Sequence, residues 1–316
     1  MYEALKALDG IRLNFSEKGL FTLNLALAFI MFGVALGIKV EHFKNLAINK
    51  RIPIIGLLSQ FIVLPAATFI LVVLLNGIIT PTVAMGMILV AACPGGNISN
   101  FITSLAKGNA ALAVTLTGLG TILAIILTPF NFALWGGLYT NSVSHVAGTL
   151  LRPLEINPVK MFETVFILLG IPLAMGMTFN HYFPRLTEKI MKPIKLLSIL
   201  CFILFIVVAF KDNYNYFILY IKYIFIIVLI HNLLGLISGY YFSRLLGCGE
   251  FNNRTISIET GIHNSGLALV LLFNQKIFPA DIPIGGMIFV AAWWGIWHIL
   301  SGLALAGYWS RHAPKN

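Results

Sequence analysis

The stretch Cys93-Pro94-Gly95-Gly96-Asn97-Ile98-Ser99-Asn100 interrupts an apolar run that extends over about 82–106. Proline has no N–H to donate and its ring clashes with the preceding turn, and each of the two glycines weakens a helix further. The segment therefore predicts a membrane-crossing helix that unwinds at Pro94 and restarts near Asn97. A restarted half-helix turns free N–H groups and the positive end of its dipole toward the gap, which suits an anionic group. Ser99 and Asn100, one turn in, add hard oxygen donors. A second run, about 255–275, carries Glu259-Thr260-Gly261-Ile262-His263-Asn264-Ser265-Gly266. It too is glycine-interrupted and rich in Asn and Ser. Interrupted helices at matching positions of two halves are the sequence mark of an inverted repeat with a midplane site.

The rest of the chain supports a membrane reading. Its 316 residues are 59% hydrophobic and only 10% charged, against about 25% charged in soluble domains, and mean hydropathy is +0.91. Runs long enough to cross a bilayer, roughly 20 residues, fall at about 20–40, 52–76, 82–106, 111–137, 161–180, 193–210, 216–242, 255–275 and 284–309. The expected fold is thus an all-α polytopic membrane protein of nine transmembrane helices. It forms an inverted repeat that lacks the first helix of repeat one, with two discontinuous helices. Residues 1–19 form a polar N-terminal segment without a signal peptide, 20–310 a single membrane domain, and 311–316 a tail. The short link Lys107-Gly108-Asn109 makes the third and fourth spans a tight hairpin.

The net charge of +10 does not point to nucleic acid, because the basic residues cluster at helix ends and not on one polar face. With the N-terminus outside, the inner loops hold 13 Lys and Arg and the outer segments 7, with Lys222 inside a span. The positive-inside bias then places the C-terminus in the cytoplasm of an inner-membrane protein. The three cysteines show no paired spacing.

Of eleven acidic residues, only Glu259 lies well inside an apolar run. A carboxylate there costs several kcal/mol unless it is protonated, paired or bound to a cation. Lys222 is the one intramembrane basic residue available as a partner. Gln60, Thr115, Thr117, His231, Asn232, His263, Asn264 and His298 are the other polar residues within spans. His231 and Asn232 are read as helix-packing hydrogen bonders. Gln60, Thr117 and the two interrupted spans offer the oxygen ligands that a hard cation prefers.

At Cys93–Asn100 and Glu259–Ser265 the chain resembles the bile acid:sodium symporter family. Gln60 before Pro65, Lys107-Gly108-Asn109, and Trp297-His298 with Ser301-Gly302 are similar too, over about residues 20–310. The resemblance implies a panel domain (about 20–40 and 161–210) and a core domain (about 52–137 and 216–309) in which the two broken helices cross. It implies sodium-coupled symport of a small organic anion, bile-acid-like or a small carboxylate, from within membrane lipid. One sodium site is implied at Ser99, Asn100, Thr117 and Glu259. A second is implied at Gln60, Glu259, the backbone oxygens of Thr260 and Ile262, and position 263. The substrate is implied near Gly96, Asn97, Ser99, Asn264 and His298. The chain departs from the pattern at Ala113, where a serine hydroxyl is usual, at His263, where glutamine is usual, and at Ile299, where some members have asparagine.

Other readings are proton coupling through Glu259 and His263, an intramembrane enzyme, and a channel or sensor. The enzyme lacks HExxH and GxSxG, and Ser265 and His263, two residues apart, do not face each other on a regular helix. A channel lacks a ring-like filter sequence.

Overall fold

The computed structural model describes residues 1–11, 50–144, 158–191, 214–279 and 282–312, with scattered positions between 25 and 37 and between 193 and 200. The expected spans at 20–40 and 193–210 lie largely outside the described residues. The elements are α1 (Tyr2–Asp9), α2 (Arg51–Leu58), α3 (Leu64–Leu74), α4 (Pro81–Ala92), α5 (Ile98–Leu105), α6 (Ala110–Ser144), α7 (Pro158–Val165), α8 (Ile171–Tyr182), α9 (Tyr214–Leu245), α10 (Glu250–Gly261), α11 (Ser265–Phe273) and α12 (Gly285–Ser310). The protein is an all-α membrane protein. Among the described residues five helical segments are long and apolar enough to cross a bilayer: Arg51–Leu74, Ala110–Val143, Pro158–Tyr182, Ile218–Leu245 and Gly285–Ser310.

Two of these segments widen partway through. α2 passes into α3 through a π-helical turn at Ser59–Val63, and α7 into α8 through one at Phe166–Gly170. Each turn lies just ahead of a proline, Pro65 and Pro172. The ring pushes away the carbonyl four residues back and removes one ladder donor, and the helix accommodates this by opening a wider turn. The first turn carries Ser59 and Gln60 into the buried interior.

Two further stretches are split. α4 ends at Ala92 and α5 begins at Ile98, while α10 ends at Gly261 and α11 begins at Ser265. Between the halves the backbone is extended, and the two extended pieces lie antiparallel at Gly95 and His263. Gly96 donates its N–H to the Ile262 carbonyl at 2.7 Å, and Asn264 donates to the Pro94 carbonyl at 2.8 Å. Backbone freed from helices inside a membrane must find other partners, and here each break satisfies part of the other. A side chain would crowd the contact: a Cβ at Gly96 would lie 3.0 Å from the His263 carbonyl oxygen.

The ends of the core are tied by polar links. Lys107 takes a positive φ of 53° at the α5–α6 turn, and Gly108 donates to the Thr103 carbonyl at 2.9 Å. The buried guanidinium of Arg254 pairs with Glu250 at 3.0 Å and donates to the carbonyls of Ala106 and Trp309, each at 3.1 Å. It thereby caps the C-terminal ends of α5 and α12 from α10.

The N-terminal segment is more than a polar lead-in. α1 buries Leu5 and Leu8 completely. Its Asp9 carboxylate accepts from Thr80 at 2.8 Å and from Thr82, at the start of α4. Burial pushes the Asp9 carboxyl above its ordinary range, and the two hydroxyls pull it partly back. Gly285, the first residue of α12, lets α1 approach; a Cβ there would lie 2.1 Å from the Leu8 carbonyl oxygen.

Candidate functional site

Glu259 sits in the last turn of α10, directly before the break, and is fully buried. Three other elements converge on it. From α5, Ser99 donates to Glu259 Oε1. From α6, Thr117 lies within 3.3 Å of Oε1 and 3.2 Å of Oε2, and also reaches Asn100 Oδ1 at 3.4 Å. Ser99 and Thr117 hydroxyls are 3.5 Å apart. From the widened turn after α2, Gln60 Nε2 lies 3.2 Å from the Glu259 carbonyl oxygen and 3.4 Å from Oε2. Gly95 makes room for this cluster, since a Cβ there would lie 3.0 Å from Glu259 Oε2 and 3.1 Å from Gln60 Nε2.

Among the described residues no Lys or Arg pairs with Glu259. Lys222 does not partner it: the Lys222 side chain is exposed on α9 and its ammonium lies 4.9 Å from the Tyr223 ring centre. Arg254, the nearest basic residue in sequence, is engaged by Glu250. The carboxylate is instead surrounded by hydroxyl and amide groups.

The remaining residues singled out in the sequence are placed as follows. Thr260 bonds its hydroxyl to Ser59 at 2.8 Å. Ile262 offers its carbonyl to Gly96. His263 is fully buried, with Nδ1 3.0 Å from the Val90 carbonyl oxygen and Nε2 without a partner. The Gly96 N–H is taken by Ile262, so Gly96 serves the crossing of the two segments. Asn97 stands half-buried ahead of α5 without a side-chain capping bond. Asn264 caps α11 by accepting from the Leu267 N–H at 3.0 Å. His298, on α12, is buried with Nδ1 2.6 Å from the Trp294 carbonyl oxygen. Ala113 is buried on α6, one turn before Thr117.

One contribution was not singled out from the sequence. Ser59 supplies the hydroxyl that holds Thr260. Asn232, read as a packing residue, donates to the Gly261 carbonyl at 2.7 Å and accepts from Ser301 at 2.6 Å. It closes the end of α10 at the break. His231, next to it, pairs with Thr68 at 2.8 Å and stacks edge-on against Trp294.

A buried, unpaired carboxylate beside two crossed, interrupted helices defines a class, the helical membrane transporters whose site is built from unwound segments. A profile of the sodium bile acid symporter family matches residues 24–220, and this chain belongs to that family. It is 30% identical over 309 residues to an uncharacterized sodium-dependent transporter of Bacillus subtilis, YocS, covering 96% of this chain and 89% of that one. It is 31% identical over 298 residues to a probable chloroplastic sodium/metabolite cotransporter of Arabidopsis thaliana, covering 92% and 67%. It is 26% identical over 260 residues to the ileal sodium/bile acid cotransporter of the rabbit, Oryctolagus cuniculus, covering 82% and 71%. Relatives named as transporters and cotransporters point to a protein that is not an enzyme.

Proposed function

We propose that this protein is a secondary active transporter that carries an organic anion, bile-acid-like or a small carboxylate, together with sodium. The observation that carries the reading is the Glu259 carboxylate, fully buried and held by Ser99, Thr117 and Gln60, with no basic partner among the described residues. A sodium ion at Glu259, Ser99, Asn100 and Thr117 would neutralise it. The anion would meet the N-terminal ends of α5 and α11, near Asn97, Ser99, Asn264 and His298, where helix dipoles favour negative charge. The nine-span inverted repeat, with its N-terminus outside and C-terminus in the cytoplasm of the inner membrane, belongs to this proposal. So does the rocking of a core domain against a panel domain.

The test is thermal unfolding of the detergent-purified protein against sodium chloride, with potassium chloride holding ionic strength constant. An ion that binds the native state raises stability with its concentration. Sodium is expected to raise the melting temperature of the wild type and to leave Glu259→Ala unmoved. An equal response of both proteins, or none in the wild type, would defeat the assignment.

A further inference from the structure

The turn Lys107-Gly108-Asn109 does more than join α5 to α6. Asn109 Oδ1 accepts from the Leu112 N–H at 3.0 Å and so caps α6. Its Nδ2 donates to Asn252 Oδ1 at 2.9 Å, and its backbone N–H donates to Thr255 Oγ1 at 2.7 Å. Asn252 and Thr255 both belong to α10. Thr255 is fully buried, and its hydroxyl lies 3.1 Å from the Phe251 carbonyl oxygen, to which it donates. Gly108 permits the approach, since a Cβ there would lie 2.9 Å from both Thr103 Cγ2 and Thr255 Oγ1. Arg254, also on α10, adds its bond to the Ala106 carbonyl. The closed end of the α5–α6 hairpin is thus clasped to α10.

The same three elements carry the shell around Glu259. Ser99 and Asn100 stand on α5, Thr117 on α6 and Glu259 on α10. Thr255 lies one turn before Glu259, and Thr117 follows Asn109 by about 12 Å along α6, at 1.5 Å of rise per residue. Beside the carboxylate the elements are joined through the hydroxyls of Ser99 and Thr117. A hydroxyl has one proton and two lone pairs. When it lends a lone pair to a cation lying between itself and the carboxylate, its proton turns away and its bond to the carboxylate is given up. The spacing of the shell is then kept by contacts outside it. The link from Gly96 to Ile262 ties the hairpin to α10 ahead of α5, and the clasp ties it again beyond α5.

We propose that Asn109 and Thr255 are positioning residues for the sodium site, holding Ser99, Asn100 and Thr117 at the distance from Glu259 that a sodium ion needs. The inference rests on the sodium-coupled reading above. Neither residue touches the ion; both act through the helices that carry its ligands.

The sodium dependence of the melting temperature of the purified full chain tests it, with potassium chloride holding ionic strength constant. The melting temperature without sodium reports the fold, and the dissociation constant fitted to its rise with sodium reports the site. Thr255→Val keeps the shape and removes the acceptor, and Asn109→Ala removes the cap and the bond to Asn252. Both are expected to weaken sodium binding about tenfold or more, the scale of losing a group that orients metal ligands. Thr255→Ser keeps the hydroxyl and is expected to bind as the wild type does. Variants that melt lower yet bind sodium with the wild-type constant would overturn the inference and leave sodium coupling intact. A Thr255→Ser protein as weak as Thr255→Val would overturn the role given to the hydroxyl. Absence of a sodium response in the wild type would instead sink the coupling itself. Should Thr255→Val or Asn109→Ala fail to fold, Asn252→Ala, at a half-buried position, cuts the Asn109 Nδ2 link alone at the clasp: weakened sodium binding supports the inference and an unchanged constant overturns it.

Discussion

The two interrupted helices reach the same geometry by different means. Between α4 and α5 the break is written in the local sequence: Pro94 removes a donor and Gly95-Gly96 removes the side chains. Between α10 and α11 there is no proline. Gly261 is followed by Ile262 and His263, neither of which ends a helix on its own. That break is held open by partners: Asn232 takes the Gly261 carbonyl, the Pro94–Gly96 segment takes the backbone of Ile262 and Asn264, and Asn264 caps α11. The difference teaches that the first break shapes the second. The side with little side-chain bulk provides the edge against which the other unwinds.

The comparison can be broken at its strongest point by Asn232→Leu. The change leaves the Gly261 carbonyl without its partner, while the Ser301 hydroxyl keeps its contact with the His298 carbonyl. A stranded buried polar group costs about 1–3 kcal/mol, so a loss of about 2 kcal/mol is expected, read as a fall in the melting temperature in detergent. A change of a few tenths would mean that the second break holds without Asn232. Asn264→Ala removes one cap and is expected to cost about 1 kcal/mol in the same measurement. Pro94→Ala is expected to be the mildest, about 0.5 kcal/mol, because Gly95, Gly96 and the pairing across the crossing remain and only the unfolded chain gains freedom. A Pro94→Ala cost above that of Asn232→Leu would reverse the contrast.

The same contrast explains what was legible in the sequence. The break at Pro94 and the run boundaries near 52–76, 111–137, 161–180, 216–242 and 284–309 follow from residue types over short stretches. The role of Asn232 does not, because its partner Gly261 lies on another helix and no periodicity connects them. Lys222 illustrates the opposite error. Inside an apolar run it is the obvious counter-charge for Glu259, yet its side chain is exposed on α9. α1 is hidden for a third reason: eight residues with two buried leucines, Leu5 and Leu8, give too short a pattern to separate docking from a solvated tail. The pairing of Gln60 with Glu259 spans 199 positions and was approached only through family resemblance. Ser59, one residue earlier, escaped it.

The strip formed by Gly95 and His263 also bears on how this protein can be recombined. Each break is part of the other's backbone environment, so residues 93–97 and 261–264 behave as a single inherited module, although most of the chain separates them. A chimera that takes one segment from a relative and keeps the other would set a foreign edge against a native one. Segment exchange between relatives should therefore move both breaks together or neither.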